Sequence, residues 1–398
     1  MVTLDKVFDA QSVLKNIIRE TNLVRAYGIA PDCELYLKPE NLQITGSFKV
    51  RGSAYKIAML SEEEKSKGVI ACSAGNHAQG VALAATKNEI KSLICLPDSA
   101  PISKVEATKG FGADVCLVEG CYDDAYQKAL ELKESEGYTF VHPFDDEDVI
   151  AGQGTIALEV LNDLDNIDAI VVPVGGGGLI SGIAYTVKQI RPSVKVYGVQ
   201  MLGAPSMYSS LKKGEIDCLD SVSTIADGIA VKQPGENTYS IVQKYVDEIV
   251  LVSDDEVASA ILALIEKQKM IAEGAGAAAV AAVMFNKVPV KGKKVVSIVS
   301  GGNIDVTSLS RVIDRGLMKS GRSSSLLIEL IDKPGQLQNV SRIIAGNGGN
   351  VTRVYHERAG ETESVNGCYL KIGMETRDYE HVQQITQALR DEGFKIIS

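Results

Sequence analysis

The sequence predicts an α/β fold over most of the chain, followed by a smaller α+β domain. Apolar runs of strand length alternate with helical stretches from about residue 35 to residue 310. This alternation is typical of parallel strands covered by helices. The polar stretch 315–323 then predicts a linker. Beyond it, the order strand, helix, strand, strand, helix, strand is the split ferredoxin-like pattern.

The clearest elements of the first region are strands at 91–96, 113–118 and 195–199, and helices at 122–136 and 254–269. In the last region, strands are predicted at 326–331, 350–357, 367–374 and 394–397, and helices at 336–346 and 379–392. The uncharged run 169–187 is long enough to span a membrane. It contains a proline and several glycines, so a strand, a loop and a helix explain it better.

Composition excludes several classes of partner. A net charge of −10 argues against nucleic acid and anionic membranes. The seven cysteines include no CxxC pair, which favours reduced thiols in a cytoplasmic protein. The first residues show no signal-peptide pattern.

Lys49 is the first candidate for chemistry. It lies between Ser47 and Gly52, and no acidic residue is within three positions of it. A lysine acts as a base or bonds covalently to a carbonyl only after losing its proton, which burial or a cationic neighbour such as Arg51 favours. Most lysines are simply exposed, so this prediction depends on three further segments.

The second segment is a polar turn, 73–80, between a predicted buried strand and a predicted helix. A helix start offers free backbone N–H groups, here beside Ser, Asn and His side chains, which suits a carboxylate or a phosphate. The alternative is a plain turn with a capping serine.

The third segment is a run of four glycines, 175–178, between an apolar run and a helix. Consecutive glycines let backbone N–H groups converge on an anion. The dinucleotide pattern and the P-loop lysine are both missing, so the phosphate of a smaller molecule fits better; a flexible loop is the alternative. The fourth segment, 300–303, again follows a predicted strand with a polar glycine turn.

Ligands of open α/β sheets bind at the carboxyl ends of strands, and all three turns follow strands. A lysine, an Asn/His turn, a phosphate cradle and a Ser/Asn turn are the parts needed to hold pyridoxal phosphate. With these motifs in this order, residues 1–315 resemble the type II, tryptophan-synthase-β-like family of pyridoxal-phosphate enzymes, and within it the threonine dehydratases (threonine ammonia-lyases). The resemblance implies two domains, the smaller inserted at about 40–145, with the cofactor between them.

The resemblance also implies roles. Lys49 would bind the cofactor covalently and remove the Cα proton of L-threonine, with L-serine as a side substrate. The enzyme would act in amino-acid metabolism, and specifically in isoleucine biosynthesis. Glu273 would lie near the cofactor, with a helix-start role as the alternative. The other implied cofactor-binding residues are Phe48, Asn76, Gly175, Gly176, Gly177, Gly178, Leu179, Ser300 and Gly301. The implied substrate-binding residues are Ser73, Gly75, Asn76 and His77.

Residue differences from related serine racemases limit the activity and the metal that we expect. Serine racemases resemble this chain but carry a second serine where Ala74 stands, so racemisation should be poor. Their divalent-ion carboxylates correspond to Gln200 and Ser206, so no such metal is expected, whereas a monovalent cation on backbone carbonyls stays open. The remaining histidines have no metal-like spacing and are expected on the surface or in loops: His142, His356 and His381.

Residues 325–398 resemble an ACT regulatory domain, joined through a linker at 316–324. The turn at 332–337 resembles the loop where ACT domains bind amino acids. Isoleucine or valine is the expected effector. The expected oligomer is a homodimer or a homotetramer. A purely structural dimerisation module is the alternative. The implied effector-binding residues are Asp332, Pro334, Gly335, Leu337 and Asn350.

Other functions stay open at this point. A serine-preferring dehydratase or a serine racemase would use the same parts, and one methyl group discriminates substrates by only about 1–3 kcal/mol. Sulfhydrylases differ in the pattern around the lysine. A non-catalytic amino-acid sensor would not need Lys49.

Overall fold

The computed structural model describes residues 2–358 and 367–397, and the chain divides into two compact units, Met1–Leu309 and Ser310–Ser398. The strands of the first unit are β1 (Val24–Arg25), β2 (Glu34–Pro39), β3 (Val69–Cys72), β4 (Ser92–Pro97), β5 (Asp114–Val118), β6 (Thr139–Phe140), β7 (Ala169–Pro173), β8 (Lys195–Met201), β9 (Glu248–Val252) and β10 (Lys294–Val299).

The helices of the first unit are α1 (Leu4–Leu14), α2 (Lys49–Ala58), α3 (Glu62–Lys67), α4 (Asn76–Lys87), α5 (Ile102–Gly110), α6 (Tyr122–Glu136), α7 (Glu147–Asp163), α8 (Gly178–Ile190), α9 (Ser206–Lys213), α10 (Glu236–Tyr245), α11 (Asp254–Ala263) and α12 (Gly274–Met284). The predicted helix 254–269 is therefore α11 followed by a π-helical turn, Leu264–Gln268. Helix α13 (Val306–Lys319) runs from the first unit into the second.

The strands of the first unit form two sheets within the described residues. The larger has the order β1-β2-β10-β7-β8-β9, and each neighbouring pair except β1 with β2 is parallel. The smaller has the order β5-β4-β3-β6 and is parallel throughout. It falls within the range 40–145 expected for an inserted domain. The alternating pattern thus predicted the sheet type correctly, because parallel strands require crossover connections.

The strands that carry the predicted turns are deeply covered. Every residue of β3 and β7 is buried. Helix α12 consists mainly of Gly, Ala and Val, and it is buried throughout 274–283 where it packs against β7 and β10. Parallel strands covered on both faces are apolar along their whole length. This covered core holds the carboxyl ends of β7 and β10 in place.

The second unit contains β11 (Ser323–Ile331), α14 (Gln336–Gly346), β12 (Asn350–Arg358), β13 (Gly367–Glu375), α15 (Tyr379–Asp391) and β14 (Lys395–Ile396). Its sheet is antiparallel in the order β12-β13-β11-β14. The predicted βαββαβ order is correct, with element ends shifted by a few residues at most. Residues 359–366 and 398, which belong to the predicted domain 325–398, lie outside the described residues.

The predicted linker 316–324 is mostly regular structure. Helix α13 continues to Lys319, and β11 begins at Ser323. The helix buries only Val312 and Gly316, so its polar composition reflects an exposed surface rather than a loop. The connection is the short turn that contains Gly321, whose φ of 68° suits the left-handed end of a helix.

The apolar run 169–187 forms β7, the glycine turn and the start of α8, as predicted. Among the described residues, no helix combines the length and the apolar character needed to cross a membrane.

Candidate active site

Lys49 opens helix α2, and the turn after β10 holds it in place. The N–H of Phe48 donates to the carbonyl of Ser300 at 3.1 Å, and Ser47 forms an isolated bridge with Gly301. Helix α4 lies on the other side, where a Cβ at Gly80 would come within 3.2 Å of the Lys49 carbonyl. The lysine therefore stands where two of the predicted turns meet.

The Lys49 amine is set up to lose its proton. Its Nζ donates to the Pro143 carbonyl at 2.7 Å and lies 5.4 Å from the centre of the Phe48 ring. The residue as a whole is half-buried. Desolvation of the ammonium group lowers the pKa of Lys49 to about 8, although the nearby Glu273 acts in the opposite direction. A pKa near neutrality leaves a usable fraction of neutral amine.

The first polar turn lies at the N-terminus of α4. Strand β3 ends at Cys72, and the residues before α4 are half-buried. The N–H of Gly75 donates to Ser73 Oγ at 3.2 Å. The first N–H groups of a helix have no acceptor within the helix, so this turn has the character of an anion receptor.

The His77 imidazole is not part of that receptor. It is buried, and its Nε2 donates to the Val141 carbonyl at 2.8 Å, while Nδ1 lies 3.5 Å from Ser53 Oγ. Burial lowers the pKa of His77 to about 3, so the ring is neutral. Because its helical position directs the side chain into the core, only the backbone N–H of His77 is available at the start of α4.

The glycine run connects β7 to α8. Gly177 has a φ of 102°, which strains other residues. A Cβ at Gly176 would lie 2.5 Å from the Phe144 ring, and one at Gly178 would lie 2.8 Å from the Phe144 carbonyl. The run is therefore needed for close packing as well as for conformation. Its end is the N-terminus of α8, which favours a phosphate.

A fourth turn, 142–145, joins Lys49 to the glycine run, and the sequence analysis missed it. Pro143 accepts the hydrogen bond from Lys49, and Phe144 packs against Gly176. The turn follows strand β6, so it could have been predicted from the tendency of ligands to bind at the carboxyl ends of parallel strands. Strand β6 has only two residues, however, and no apolar run marks it.

Asp145 ties this fourth turn to helix α10. Its carboxylate accepts the N–H groups of Glu236 and Thr238 at 3.1 and 3.0 Å. The Thr238 hydroxyl donates in turn to the Gly176 carbonyl at 2.7 Å. The glycine run is thus supported from outside by the start of α10, whose N–H groups Asp145 caps.

Asn76 connects the turns after β3 and β10. Its Nδ2 donates to Glu273 at 2.7 Å, and its Oδ1 accepts from Asn303 at 2.8 Å. Glu273 immediately precedes α12 but does not cap it with its side chain. Burial, together with Asp227, raises the pKa of Glu273 to about 7. The structure therefore places Glu273 at a helix start and also beside the site.

Together these groups fit pyridoxal phosphate. The amine of Lys49 can become neutral, the N-terminus of α8 suits the phosphate, and the Phe48 ring lies beside the amine. Ser300 is buried next to the lysine, and a hydroxyl can donate to an unprotonated ring nitrogen. The arrangement can therefore hold an aldehyde cofactor next to a base.

Gln200 and Ser206 stand at the positions that correspond to the divalent-ion carboxylates of serine racemases. Gln200 Oε1 accepts the N–H of Tyr208 at 2.8 Å. Gln200 Nε2 and Ser206 Oγ are buried without a hydrogen-bond partner in the described part of the chain. A monovalent cation on nearby backbone carbonyls stays a prediction.

In the second unit, the turn after β11 lines a cavity of about 330 Å³. The predicted effector residues Asp332, Pro334, Gly335 and Leu337 are in its wall, together with His356. Asn350 is not: it donates to Glu375 at 2.8 Å. It lies six residues from His356 along β12, which is about 20 Å in a strand. The structure therefore does not bring Asn350 to this loop.

Two of the remaining histidines are not at the surface. His142 is a partly buried loop residue whose Nδ1 accepts the Asp145 N–H at 2.8 Å. His381 is buried, and its Nε2 donates to the Asn347 carbonyl at 2.7 Å. The prediction of a surface or loop position was therefore wrong for His381, which lies on the core face of α15.

Comparisons with known proteins identify the family and its cofactor. A family described as pyridoxal-phosphate dependent enzymes matches residues 14–301. The L-threonine ammonia-lyase of Thermotoga maritima is 48% identical over 398 residues, which cover 100% of this chain and 99% of that protein. The processed form of threonine deaminase isoform 2 from Solanum lycopersicum has a TM-score of 0.74 at 39% identity, covering 79% of this chain and 94% of that one. Maize serine racemase has a TM-score of 0.75 at 34% identity, covering 80% and 98%.

Proposed function

The chain belongs to the family of pyridoxal-phosphate-dependent enzymes, and we propose that it is a threonine ammonia-lyase, which converts L-threonine into 2-oxobutanoate and ammonia. The observation that carries this function is the Lys49 amine, whose pKa is lowered to about 8 between two turns suited to anions. L-Serine lacks only one methyl group and would give pyruvate as a side activity.

Pyridoxal phosphate, when bound, supplies the electron sink that stabilises negative charge at the substrate Cα. We expect backbone N–H groups of Gly175, Gly176, Gly177, Gly178 and Leu179 to hold its phosphate. We expect Phe48, Asn76, Ser300 and Gly301 to surround its ring, and Lys49 to attach to it covalently.

Lys49 is the residue that takes the Cα proton. The neighbouring histidines are poor competitors, because burial lowers the pKa of both His77 and His142. His77 Nε2 also donates to the Val141 carbonyl. A general base needs a pKa close to the working pH, and Lys49 meets that condition better.

The turn at the N-terminus of α4 orients the substrate. Ser73, Gly75, Asn76 and the backbone of His77 surround a position suited to the substrate carboxylate. Loss of the Cα proton and of the β-hydroxyl removes one water from threonine. The released enamine takes up one water and loses ammonia, so the net products are 2-oxobutanoate and ammonia.

Two alternatives receive less support. Maize serine racemase is similar in fold, but Ala74 offers no titratable group for a proton on the second face of the cofactor. A non-catalytic sensor would not need a lysine amine of lowered pKa beside a phosphate cradle.

The direct test is steady-state kinetics on L-threonine, L-serine and D-serine with ketoacid detection. We expect L-threonine to have the highest kcat/KM. Borohydride should trap the cofactor on the protein, and Lys49→Ala should abolish both trapping and activity, whereas the exposed-lysine control Lys109→Ala should keep both. A colourless protein that forms no ketoacid from any of the three substrates would contradict the function.

Regulation belongs to the same proposal. We expect isoleucine or valine to bind in the cavity lined by Pro334, Gly335 and Leu337, and to act through a difference in affinity between two states of a cytoplasmic homodimer or homotetramer. None of the seven cysteines forms a disulfide within the described residues, which supports a reducing compartment. Titration of both amino acids against activity should show a response that Leu337→Ala weakens and the exposed control Met318→Ala keeps. If Leu337→Ala and Met318→Ala respond equally to the amino acids, the cavity is not the effector site.

A further inference from the structure

A group of side chains that could bind a metal ion lies in the second unit, which contains none of the residues assigned to catalysis. Asp332, His356 and Cys368 each offer one ligand atom, and these atoms all lie within 4.8 Å of one another. His356 Nε2 is 3.1 Å from Cys368 Sγ. Asp332 and His356 are exposed, whereas Cys368 is buried beneath them.

The antiparallel sheet brings the three residues together. Strand β13 lies between β12 and β11, and Cys368 is paired with Arg358 on one side and Leu330 on the other. His356 is two residues from Arg358, and Asp332 is two residues beyond Leu330. Side chains two positions apart share a face, and diagonal neighbours on adjacent strands are within reach of one another. Two neighbouring strands and the turn after a third therefore supply one ligand each.

The chemical types of the three ligands indicate which metal ion they would bind. Thiolate, imidazole and carboxylate are the ligands of Zn²⁺, whereas Ca²⁺ and Mg²⁺ prefer oxygen alone. Zinc bonds of about 2.0–2.3 Å in a tetrahedron place ligand atoms about 3.5 Å apart. The separation of 3.1 Å between His356 Nε2 and Cys368 Sγ is slightly below that value, and the other separations are at most 4.8 Å.

The site is open on one side. Asp332 and His356 also line the cavity of about 330 Å³ formed by the turn after β11. Three protein ligands with one open position are typical of zinc that exchanges water for another donor.

We propose that the second unit binds one Zn²⁺ through Asp332, His356 and Cys368, with the fourth coordination position facing this cavity. No metal was expected from the sequence, in which His356 has no metal-like spacing; Asp332 and Cys368 lie 24 and 12 positions from it. An amino or carboxylate group that enters the cavity could occupy the fourth position, so the metal would contribute to ligand binding there.

The test is a cobalt titration of the reduced, metal-stripped, full-length holoenzyme, followed by difference spectra. Co²⁺ bound to a thiolate gives a charge-transfer band. We expect this band to saturate at one equivalent per chain and to disappear when Zn²⁺ is added. Cys368→Ser should abolish the band, whereas Cys218→Ser, which removes an exposed thiol, should keep it.

Asp332→Asn supplies a variant at an exposed position, where folding is not at risk. Loss of a residue that only hydrogen-bonds to a metal ligand weakens metal binding by about 10–100-fold. Loss of the ligand Asp332 itself should weaken Zn²⁺ binding at least as much, as measured by competition with a chromophoric chelator. Circular dichroism without metal should be unchanged. A wild-type protein without the band, a band that survives Cys368→Ser, or an unchanged affinity in Asp332→Asn would each overturn the proposal.

Discussion

Asn76 donates a hydrogen bond to Glu273 at 2.7 Å, although 197 positions separate them in the sequence. The bond joins the start of α4 to the residue that precedes α12. Glu273 also raises the pKa of Lys49 against the effect of burial. One carboxylate thus influences both the orientation of a predicted cofactor ligand and the protonation of the proposed base.

The pH dependence of cofactor capture should report the pKa of Lys49. Only the neutral amine attacks the aldehyde. The rate of reconstitution of apoenzyme with pyridoxal phosphate should therefore rise about tenfold per pH unit at low pH and level off above about 8. Stopped-flow absorbance measures this rate. A rate that keeps rising towards the ordinary lysine value of 10.5 would contradict the lowered pKa.

Replacing Glu273 tests the electrostatic effect on Lys49. Glu273→Gln removes the negative charge but keeps an oxygen that can accept from Asn76. Since that charge favours the ammonium form, its removal should lower the pKa of Lys49, and the midpoint of reconstitution should move to a lower pH by roughly one unit or less. The control Glu89→Gln, at an exposed glutamate, should leave the midpoint unchanged. A shift to higher pH in Glu273→Gln would reverse the assigned sign.

The glycine turn should not tolerate a side chain. In Gly176→Ala, the new Cβ would meet the Phe144 ring at 2.5 Å. Overpacking of this kind costs about 1–3 kcal/mol, so the dissociation constant of pyridoxal phosphate should rise by roughly 5- to 150-fold. Gly110→Ala is the matched control, because a Cβ there meets nothing within 4 Å. Equal affinity in both variants would show that the cradle is not at this turn.

A buried ion pair two residues from Lys49 should matter for stability. Arg51 donates to Glu40 through Nε and Nη2, both at 2.8 Å, and neither side chain is exposed. Glu40→Gln leaves part of the buried charge without compensation, which costs about 3–5 kcal/mol in the free energy of unfolding. Urea denaturation measures the change. Glu63→Gln, which breaks the exposed pair with Lys67, should have little effect.

Much of the fold was predictable from local pattern. The parallel sheets, the order of the last six elements and the turns after β3, β7 and β10 all follow from apolar periodicity and from glycine and polar residues at strand ends. The bounds of α6 and α14 were predicted to the residue. Where an element is too short to show a period, as in β6, the turn after it was missed.

The class of cofactor enzyme could be recognised from the chain alone, because each of the four motifs is short and lies within a few residues of Lys49, Asn76, Gly176 or Ser300. The contacts between distant segments could not. The folded chain directs the His77 ring into the core, places Phe144 against the glycine turn, and brings Asp332 from the turn after β11 to His356 and Cys368 on two strands. Such contacts depend on strand order and register between distant segments, which local periodicity does not encode.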